Sequence, residues 1–341
     1  MTDITHRDII VIGTSAGGID ALRTLMKGLP KDLPASVFVV MHTGPDSPGI
    51  LDHILRKAGE LPAITPKDKE LIQPGYVYVA PPDYHLLIDD GRICLSRGPK
   101  ENRFRPAIDP LFRSAATAYR DRVIGVVLTG GLDDGTAGLW AIKQLGGLAV
   151  VQNPDDALSS SMPLSALKYV DVDYTSTIEN MAALLVDLTK QVIDPGEIEV
   201  PKNLEIEVRI AKQDPAIDFD VRELWEPSSY TCPDCHGVLL QLREGSRERF
   251  RCHTGHAYSV DSLLSGLTER VEESLWATIR SIEESALLMR HIAGHLMDMG
   301  ESQRANEFSV KADEAQLRAK DVRQLVFAHE ELNIERVGEK S

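Results

Sequence analysis

Short hydrophobic runs alternate with helical stretches through residues 8–192 of the chain. The runs that predict strands are "DIIVIG", "VFVVMH", "YVYVAP", "VIGVVLTG" and "LAVVQN". Their nearly continuous hydrophobic character is typical of parallel strands that helices cover on both faces. In "HLLIDDGRICLS", an Asp-Gly turn separates two hydrophobic runs, which predicts an antiparallel hairpin. The pattern therefore predicts an α/β fold with a doubly wound, mainly parallel sheet and one antiparallel hairpin.

The pattern changes after residue 193, and it divides the chain into four predicted segments. Residues 1–193 form the α/β domain. Prolines and alternating acids in residues 194–228 predict a linker with one edge strand. Residues 229–260 form a small Cys/His-rich module, and residues 261–341 form a helical tail.

Two helices are predicted in the tail, from hydrophobic residues at three- and four-residue steps. In the first, this stripe consists of Trp276, Ile279, Ile282, Ala286, Met289, Ile292 and Leu296. The second is predicted over residues 302–335, with an inner face of Phe308, Ala312, Ala315, Val322 and Phe327. Such a stripe is usually core. We expect the tail to pair with itself, with a partner helix (including a second copy of the chain) or with the α/β domain.

Composition and charge narrow the class of protein. The formal net charge of −15 argues against binding to nucleic acid or to anionic membranes, because both repel an acidic surface. The start "MTDITHRD" has no signal-peptide pattern, and no hydrophobic run approaches the roughly 18 residues that cross a bilayer. Four cysteines in 341 residues suggest metal-binding or structural thiols in a reducing compartment. We therefore expect a cytoplasmic protein without membrane insertion.

A serine lies between the first predicted strand and the following helix. Residues 13–17, "GTSAG", match G-x-S-x-G, the nucleophile elbow in which a sharp turn exposes a serine hydroxyl. A phosphate-binding loop is the alternative, but the segment matches neither G-x-G-x-x-G nor a P-loop. The next strand also ends in His42 rather than in the acid of a dinucleotide fold. The pattern favours Ser15 as a nucleophile.

Complementary groups follow two other predicted strands. His42 ends "VFVVMH", and Asp133 and Asp134 follow "VIGVVLTGGL". The carboxyl ends of parallel strands meet at one edge of a sheet, where ligands bind. A histidine that caps a strand, and an aspartate that forms a turn or caps a helix, are the alternatives. The convergence of three such groups at one edge predicts a Ser-His-Asp site.

These segments resemble the catalytic domain of chemotaxis-type (CheB) protein-glutamate methylesterases over about 185 residues. "VIGTSAGGIDAL", "VVMHTGP" and "LTGGLDDGTAG" resemble the serine, histidine and aspartate loops of the family, and "YVYVAPPDYHL", "RPAIDPLF" and "QNPDDALSSSMPLSAL" resemble other family segments. The resemblance implies Ser15 as the nucleophile, His42 as the general base and Asp134 as the residue that orients it. It also implies that backbone N–H groups at Ala16 and Gly131 hold the oxyanion.

The resemblance implies hydrolysis of γ-glutamyl methyl esters on methyl-accepting chemotaxis-type receptors, through an acyl-enzyme and without a cofactor, and also deamidation of receptor glutamine. A methyltransferase or histidine kinase of the same signalling phosphorelay is a further expected partner. Two features depart from the family. Gly131 and Leu132 replace its usual Met-Gly, and few residues precede the first strand, so we expect control by an N-terminal receiver domain to be absent.

The Cys/His-rich module carries the spacing of a small zinc ribbon. Cys232 and Cys235 form a C-x-x-C pair, and "VLLQLREGSRERFRC" predicts a hairpin that returns the chain to Cys252. Tetrahedral zinc needs a fourth ligand, for which we favour His256 over His253 because of the C-x₃-H spacing. A redox dithiol is the alternative, but no thioredoxin-like context surrounds the pair. We therefore expect structural zinc.

The sequence leaves two classes of function open. The first is a serine esterase of the methylesterase type. The second is a non-catalytic signalling scaffold that keeps the fold and binds a receptor, methyltransferase or kinase. The complete Ser-His-Asp set favours the enzyme, whereas the altered aspartate loop and the additional C-terminal segments leave room for the scaffold.

Overall fold

The computed structural model describes residues 5–193, 196, 198–214, 225–244 and 247–328. The strands are β1 (Thr5–His6), β2 (Ile9–Thr14), β3 (Ser36–Met41), β4 (Ala63–Ile64), β5 (Val77–Val79), β6 (His85–Asp89), β7 (Arg92–Ser96), β8 (Val123–Val127), β9 (Leu148–Gln152), β10 (Tyr174–Ser176), β11 (Val192–Ile193), β12 (Glu226–Thr231), β13 (Val238–Glu244), β14 (Arg247–Cys252) and β15 (Ala257–Ser259). The helices are α1 (Gly18–Gly28), α2 (Leu51–Ala58), α3 (Ile108–Tyr119), α4 (Thr136–Gln144), α5 (Ser161–Tyr169), α6 (Ile178–Thr189), α7 (Lys202–Ala211), α8 (Val260–Asp298) and α9 (Ser302–Ala328).

The five hydrophobic runs form the centre of a seven-stranded parallel sheet. The strand order is β10-β9-β8-β2-β3-β5-β4, and all its strand pairs are parallel. Alternate residues of each strand enter two separate hydrophobic cores, so that Ile10 and Ile12 pack under α1, α2 and α6, whereas Ile9 and Val11 pack against α3, α4 and α5. The predicted doubly wound α/β architecture is confirmed.

The predicted hairpin is also confirmed as an antiparallel pair of β6 and β7, which forms a sheet of its own. Its Leu86 and Ile88 are buried in the same core as α3. A turn at residues 101–104 then leads into α3, closed by a bridge between Glu101 and Phe104. The hairpin thus packs beside α3, and the turn directly precedes that helix.

The segment after the α/β domain differs from the prediction. Residues 202–211, expected within a linker, form helix α7, which buries Leu204, Ile206 and Val208. Glu207 on the same helix is also buried, and its charge is compensated by ion pairs with three arginines. Residues 215–224 of the predicted linker lie outside the described residues.

The Cys/His-rich module is a four-stranded antiparallel sheet in the order β12-β13-β14-β15. The predicted return hairpin is present as β13 and β14, which pair from Leu239–Cys252 to Glu244–Arg247. The chain divides into two compact units, and this module lies in the first, Met1–Ser262, together with the α/β domain. The boundaries at 193/194, 228/229 and 260/261 stay predictions.

The second unit, Leu263–Ser341, contains in its described part most of α8 and all of α9. Ion pairs between Arg290 and Asp313 and between Arg323 and Glu283 join the two helices. The expectation that Trp276 and Phe327 lie inside is wrong, because they are 42% and 76% exposed. The part of the second helix predicted over 329–335 lies outside the described residues. None of the helices in the described ranges is long and hydrophobic enough to span a bilayer.

Candidate active site and metal site

Ser15 lies in the turn between β2 and α1. Three residues separate the strand end at Thr14 from the helix start at Gly18. Gly17 has φ +78°, a left-handed conformation that glycine adopts without a steric penalty, and this makes the short turn possible. The Ser15 N–H donates to the carbonyl of Thr129 (3.0 Å), which fixes the turn against the end of β8. The predicted elbow geometry of strand, turn and helix is therefore present.

His42 follows the neighbouring strand β3. In the register of the sheet Thr14 pairs with Met41, and the His42 N–H donates to the Thr14 carbonyl (3.2 Å). Because paired strands lie about 4.8 Å apart, Ser15 and His42 are side by side at the carboxyl edge. The imidazole stacks on the ring of Phe104, with a centroid distance of 3.8 Å and an interplanar angle of 4°. This stacking holds the ring plane in one orientation.

Asp134 accepts a hydrogen bond from His42 Nε2 at 2.6 Å, and the side chains of both residues are buried. The backbone N–H groups of Ile108 (2.7 Å) and Gly135 (2.9 Å) and the Asn102 amide (2.9 Å) also donate to this carboxylate. Burial alone would raise the pKa of Asp134, but the hydrogen bond and charge of His42, with these other donors, lower it. Asp134 therefore stays ionised beside the imidazole.

The tautomer of His42 follows from this contact. The carboxylate accepts, so Nε2 carries the hydrogen, and Nδ1 is left as the nitrogen that can take up a proton. Nδ1 is buried and has no hydrogen-bond partner among the described residues. Nδ1 thus lies beside the serine turn as an unpartnered ring nitrogen, and the described residues show no hydrogen bond between it and the Ser15 hydroxyl.

Two backbone N–H groups near Ser15 are available to an oxyanion. Within the described residues, neither the Ala16 nor the Gly131 N–H donates to a protein acceptor. Leu132 has φ +60°, a conformation that is strained for a leucine, at the position where the sequence departs from the expected glycine. The loop thus keeps a glycine-like backbone although its residue is not glycine.

Asp133, the alternative acid, points elsewhere. Its carboxylate accepts from the Ser259 hydroxyl at 2.6 Å, and not from His42. Burial, opposed by that hydrogen bond, raises the pKa of Asp133 to about 7. Of the two adjacent aspartates, the structure therefore brings Asp134 to the imidazole and directs Asp133 to the strand β15.

Asn102, Phe104 and Asp109 contact the site but were not singled out from the sequence. The Asn102 amide donates to both Asp134 (2.9 Å) and Asp109 (3.0 Å). Asn102 has φ +49°, a left-handed conformation that asparagine tolerates better than most residues. An asparagine just before the family-like "RPAIDPLF" segment was the available signal, although nothing local indicates its partners.

The pair Asp83 and His85 in "PDYHL" is structural. Asp83 accepts from the Arg105 guanidinium (2.6 Å). His85 is fully buried, with Nε2 donating to the Pro99 carbonyl (2.9 Å) and Nδ1 accepting from the Ala107 N–H (3.3 Å). Both ring nitrogens are therefore engaged by the backbone, which leaves none for chemistry.

Cys232, Cys235, Cys252 and His256 form a group that can hold a metal ion. Their ligand atoms lie within 4.8 Å of one another. Two turns build the group, in which the Cys232 N–H donates to the Gly237 carbonyl (2.7 Å) and the Cys252 N–H to the His256 carbonyl (3.0 Å). His256 is the histidine that the structure places with the thiols, whereas the neighbouring His253 is exposed.

Three of the six separations between these atoms match a tetrahedral zinc site. The Sγ atoms of Cys235 and Cys252 are 3.6 Å apart, and His256 Nδ1 is 3.5 Å from Cys252 Sγ and 3.7 Å from Cys232 Sγ. A tetrahedral zinc ion about 2.3 Å from sulfur and about 2.0 Å from nitrogen requires separations of roughly 3.5–3.8 Å. Contact with Cys252 lowers the pKa of the Cys232 thiol, and the same contact raises the pKa of Cys252. Thiolates this close repel one another unless a cation lies between them.

Fold and site together define a class, the α/β proteins with a serine, a histidine and an aspartate at the carboxyl edge of a parallel sheet. The CheB methylesterase family model matches residues 10–185, slightly more than half of the chain. The chain therefore belongs to the CheB methylesterase family.

Individual relatives agree with this membership. A Leptospira interrogans protein, named provisionally as a protein-glutamate methylesterase/protein-glutamine glutaminase, is 44% identical over 182 residues, which is 53% of this chain and 94% of the relative. A Thermotoga maritima protein-glutamate methylesterase/protein-glutamine glutaminase is 34% identical over 184 residues, 53% of this chain and 54% of the relative. The crystal structure of the Thermotoga maritima CheB methylesterase catalytic domain matches with a TM-score of 0.52 and 33% identity, covering 54% of this chain and all of that one.

Proposed function

We propose that this chain is a serine esterase that hydrolyses γ-glutamyl methyl esters on methyl-accepting signalling proteins. The observation that carries the proposal is the buried His42–Asp134 hydrogen bond (2.6 Å) at the strand end next to Ser15. Membership of the CheB methylesterase family and the names of the relatives support the same substrate class. A methylated glutamate on a receptor helix is thus the proposed substrate.

The reaction is acyl transfer in two halves. The Ser15 hydroxyl attacks the ester carbonyl and gives its proton to His42 Nδ1, while Asp134 stabilises the imidazolium. The N–H groups of Ala16 and Gly131 stabilise the oxyanion, each worth roughly 3 kcal/mol in other hydrolases. The tetrahedral intermediate then expels methanol, which receives the proton from His42. A water molecule cleaves the acyl-enzyme by the same sequence of proton transfers and restores Ser15.

The same site can deamidate glutamine. An amide and an ester form the same type of tetrahedral intermediate, and His42 can protonate an amine leaving group as it protonates methanol. The relatives' names combine both activities. We propose glutamine deamidation as a second activity on the same receptor helices, with a methyltransferase or histidine kinase as further partners.

The test is methanol release from a methylated receptor fragment. We expect Ser15→Ala to abolish release, and Ser36→Ala, at the opposite end of β3, to leave it nearly unchanged. Labelling with a fluorophosphonate reports the same site, because only an activated serine reacts quickly. Rapid turnover in Ser15→Ala would contradict the mechanism. Absence of both labelling and turnover in the wild type would instead favour the scaffold function.

We also propose that Cys232, Cys235, Cys252 and His256 hold a structural zinc ion. With all four positions supplied by the protein, none is open for a substrate, so the ion would stabilise the fold of the module. We expect about one equivalent of zinc in purified protein and its loss in Cys235→Ser. Cys94→Ser is the matched control, because Cys94 lies on β7 outside the group. Less than half an equivalent in the wild type would contradict the proposal.

A further inference from the structure

We infer that Asn102 is a positioning residue that links the Cys/His sheet to the catalytic carboxylate, so that the order of this sheet sets the activity of the esterase site. The inference rests on the proposed esterase function and adds its regulation. It is carried by hydrogen bonds that all lie within the first compact unit.

The Asn102 side chain is fully bonded in two directions. Its Nδ2 donates to Asp134 (2.9 Å) and to Asp109 (3.0 Å). Its Oδ1 accepts from the Ser259 N–H (3.0 Å) and from the Ser262 hydroxyl (3.0 Å). The amide cannot be reversed, since its oxygen would then face two carboxylates. One buried side chain thus joins the catalytic aspartate to the residues around the start of α8.

The backbone of the same turn is paired with β15. The Asn102 N–H donates to the Ala257 carbonyl (2.8 Å), and the Ala257 N–H donates to the Lys100 carbonyl (3.2 Å). Ala257 directly follows His256, which belongs to the metal-binding group. A change in the position of His256 therefore moves the residue that pairs with the turn.

Two further contacts reach the catalytic loop. The Ser259 hydroxyl donates to Asp133, the residue before the catalytic aspartate, at 2.6 Å. Phe104, at the other end of the turn, stacks on His42. The Cys/His sheet is thus connected to the neighbour of Asp134 through Ser259, and to His42 through the turn that carries Phe104.

The turn depends on these contacts because its own conformation is unfavourable. Asn102 and Arg103 have φ values of +49° and +75°, two consecutive left-handed residues of which neither is glycine. Such residues cost roughly 1–3 kcal/mol each and persist only where surrounding structure holds them. Disorder in β15 would therefore release the turn, and with it one donor to Asp134 and the ring that orients His42.

The test compares the variant Ser259→Ala/Ser262→Ala with Ser228→Ala. Ser228 is a partly buried serine of the same sheet whose hydroxyl bonds to the Leu239 carbonyl (2.7 Å) and not to the turn. Two quantities are measured: kcat and KM for methyl ester hydrolysis, and the low-field ¹H resonance of the His42 Nε2–H. For the double variant we expect kcat to fall about tenfold or more with KM unchanged, and the resonance to move, since the hydroxyl donors to Asp133 and to Asn102 Oδ1 are lost and only the Ser259 N–H still holds the Asn102 amide. Ser228→Ala should match the wild type in both.

Treatment of the protein with a zinc chelator completes the design. We expect it to lower kcat of the wild type, and to lower kcat of the double variant by a smaller factor, because two side-chain hydrogen bonds of the link are already lost. The inference is overturned if the double variant behaves like Ser228→Ala, or if chelation lowers kcat equally in both proteins. Failure of the proposed esterase function gives a different result. In that case turnover survives in Ser15→Ala, whereas the His42 Nε2–H resonance still moves when the hydrogen bonds of Asn102 are removed.

Discussion

The substitution Glu207→Gln should destabilise the first unit far more than the loss of one surface charge. Glu207 is 1% exposed on α7, and it pairs with Arg113 of α3 (3.2 Å), with Arg249 and with Arg251 (3.3 Å), both of β14. Glu101 shares two of these arginines, Arg113 and Arg251. Three buried guanidinium groups therefore face two carboxylates, and they tie the Cys/His sheet to the α/β domain.

The expected loss of folding free energy follows from the burial of these charged groups. After Glu207→Gln, Arg113 and Arg251 share the one carboxylate of Glu101, and Arg249 keeps only the longer contact with Glu244 (3.6 Å). Removal of one partner from a buried ion pair costs about 3–5 kcal/mol, because the remaining charge is desolvated and uncompensated. For a unit of this size, each kcal/mol corresponds to roughly 2–4 °C in Tm. We therefore expect Tm to fall by about 10 °C.

Thermal unfolding measured by circular dichroism checks this, with Glu205→Gln as the control. Glu205 lies on the same helix and is exposed, so the same change of charge should alter the free energy of unfolding by no more than about 0.5 kcal/mol. Although burial alone would raise the pKa of Glu207, the three arginines lower it. The stabilisation is thus present at neutral pH and is lost only as the pH falls below the ordinary range of glutamate. Equal Tm values for the two variants would refute the reasoning.

Three further predictions concern the catalytic loop. Asp134→Asn should lower kcat by about 10⁴-fold with little change in KM, because the imidazole loses its orienting charge; a loss below tenfold would contradict the role of Asp134. Leu132→Gly should raise the free energy of unfolding by about 1 kcal/mol, since it relieves a left-handed leucine, whereas the β-branched Leu132→Val should lower it; denaturant titration measures both. Because the pKa of Asp133 is raised to about 7, folding binds a proton, and stability should decrease as the pH rises from about 5 to 8. Asp133→Asn should flatten that decrease in Tm, and an unchanged slope would argue against it.

The parallel sheet and the placement of Ser15, His42 and Asp134 could be predicted because each depends on local patterns. Strands buried on both faces read as continuous hydrophobic runs, and residues that follow such strands are brought to one edge by the parallel arrangement. The C-x-x-C turn and the return hairpin were likewise visible in the spacing. For these elements, the local sequence pattern and the topology of the fold lead to the same prediction.

Helix α7 shows where a local pattern misleads. In "NLEIEVRIA", hydrophobic residues alternate with charged ones, which is the period of a strand. The segment is nevertheless a helix, and the charged position Glu207 on its buried side is compensated by arginines 113, 249 and 251. The partners lie at least 40 residues away, so tertiary contacts override the local preference.

Helix α9 shows a smaller error of the same kind. Phe327 was expected inside as part of the predicted hydrophobic stripe, yet its neighbour Val326 is the buried residue. Four buried residues of α9 repeat every seven positions, namely Ala305, Ala312, Ala319 and Val326. The buried face of this helix is therefore formed by small residues rather than by large ones. The predicted stripe therefore placed Phe327 on the wrong face of the helix.

The two buried acids of the active site illustrate how the surroundings, rather than the residue type, assign a role. Asp109 and Asp134 share the Asn102 amide, and two carboxylates this close and this buried cannot both remain charged at low cost. Burial and the charge of Asp134 raise the pKa of Asp109, whereas His42 and four other donors lower the pKa of Asp134. These shifts favour the charge on the acid that contacts the imidazole, and the Asn102 amide is one of the donors that stabilise it there. We therefore expect loss of the Asn102 amide to weaken the ionised state of Asp134 beside His42, although Asn102 itself does not contact the imidazole.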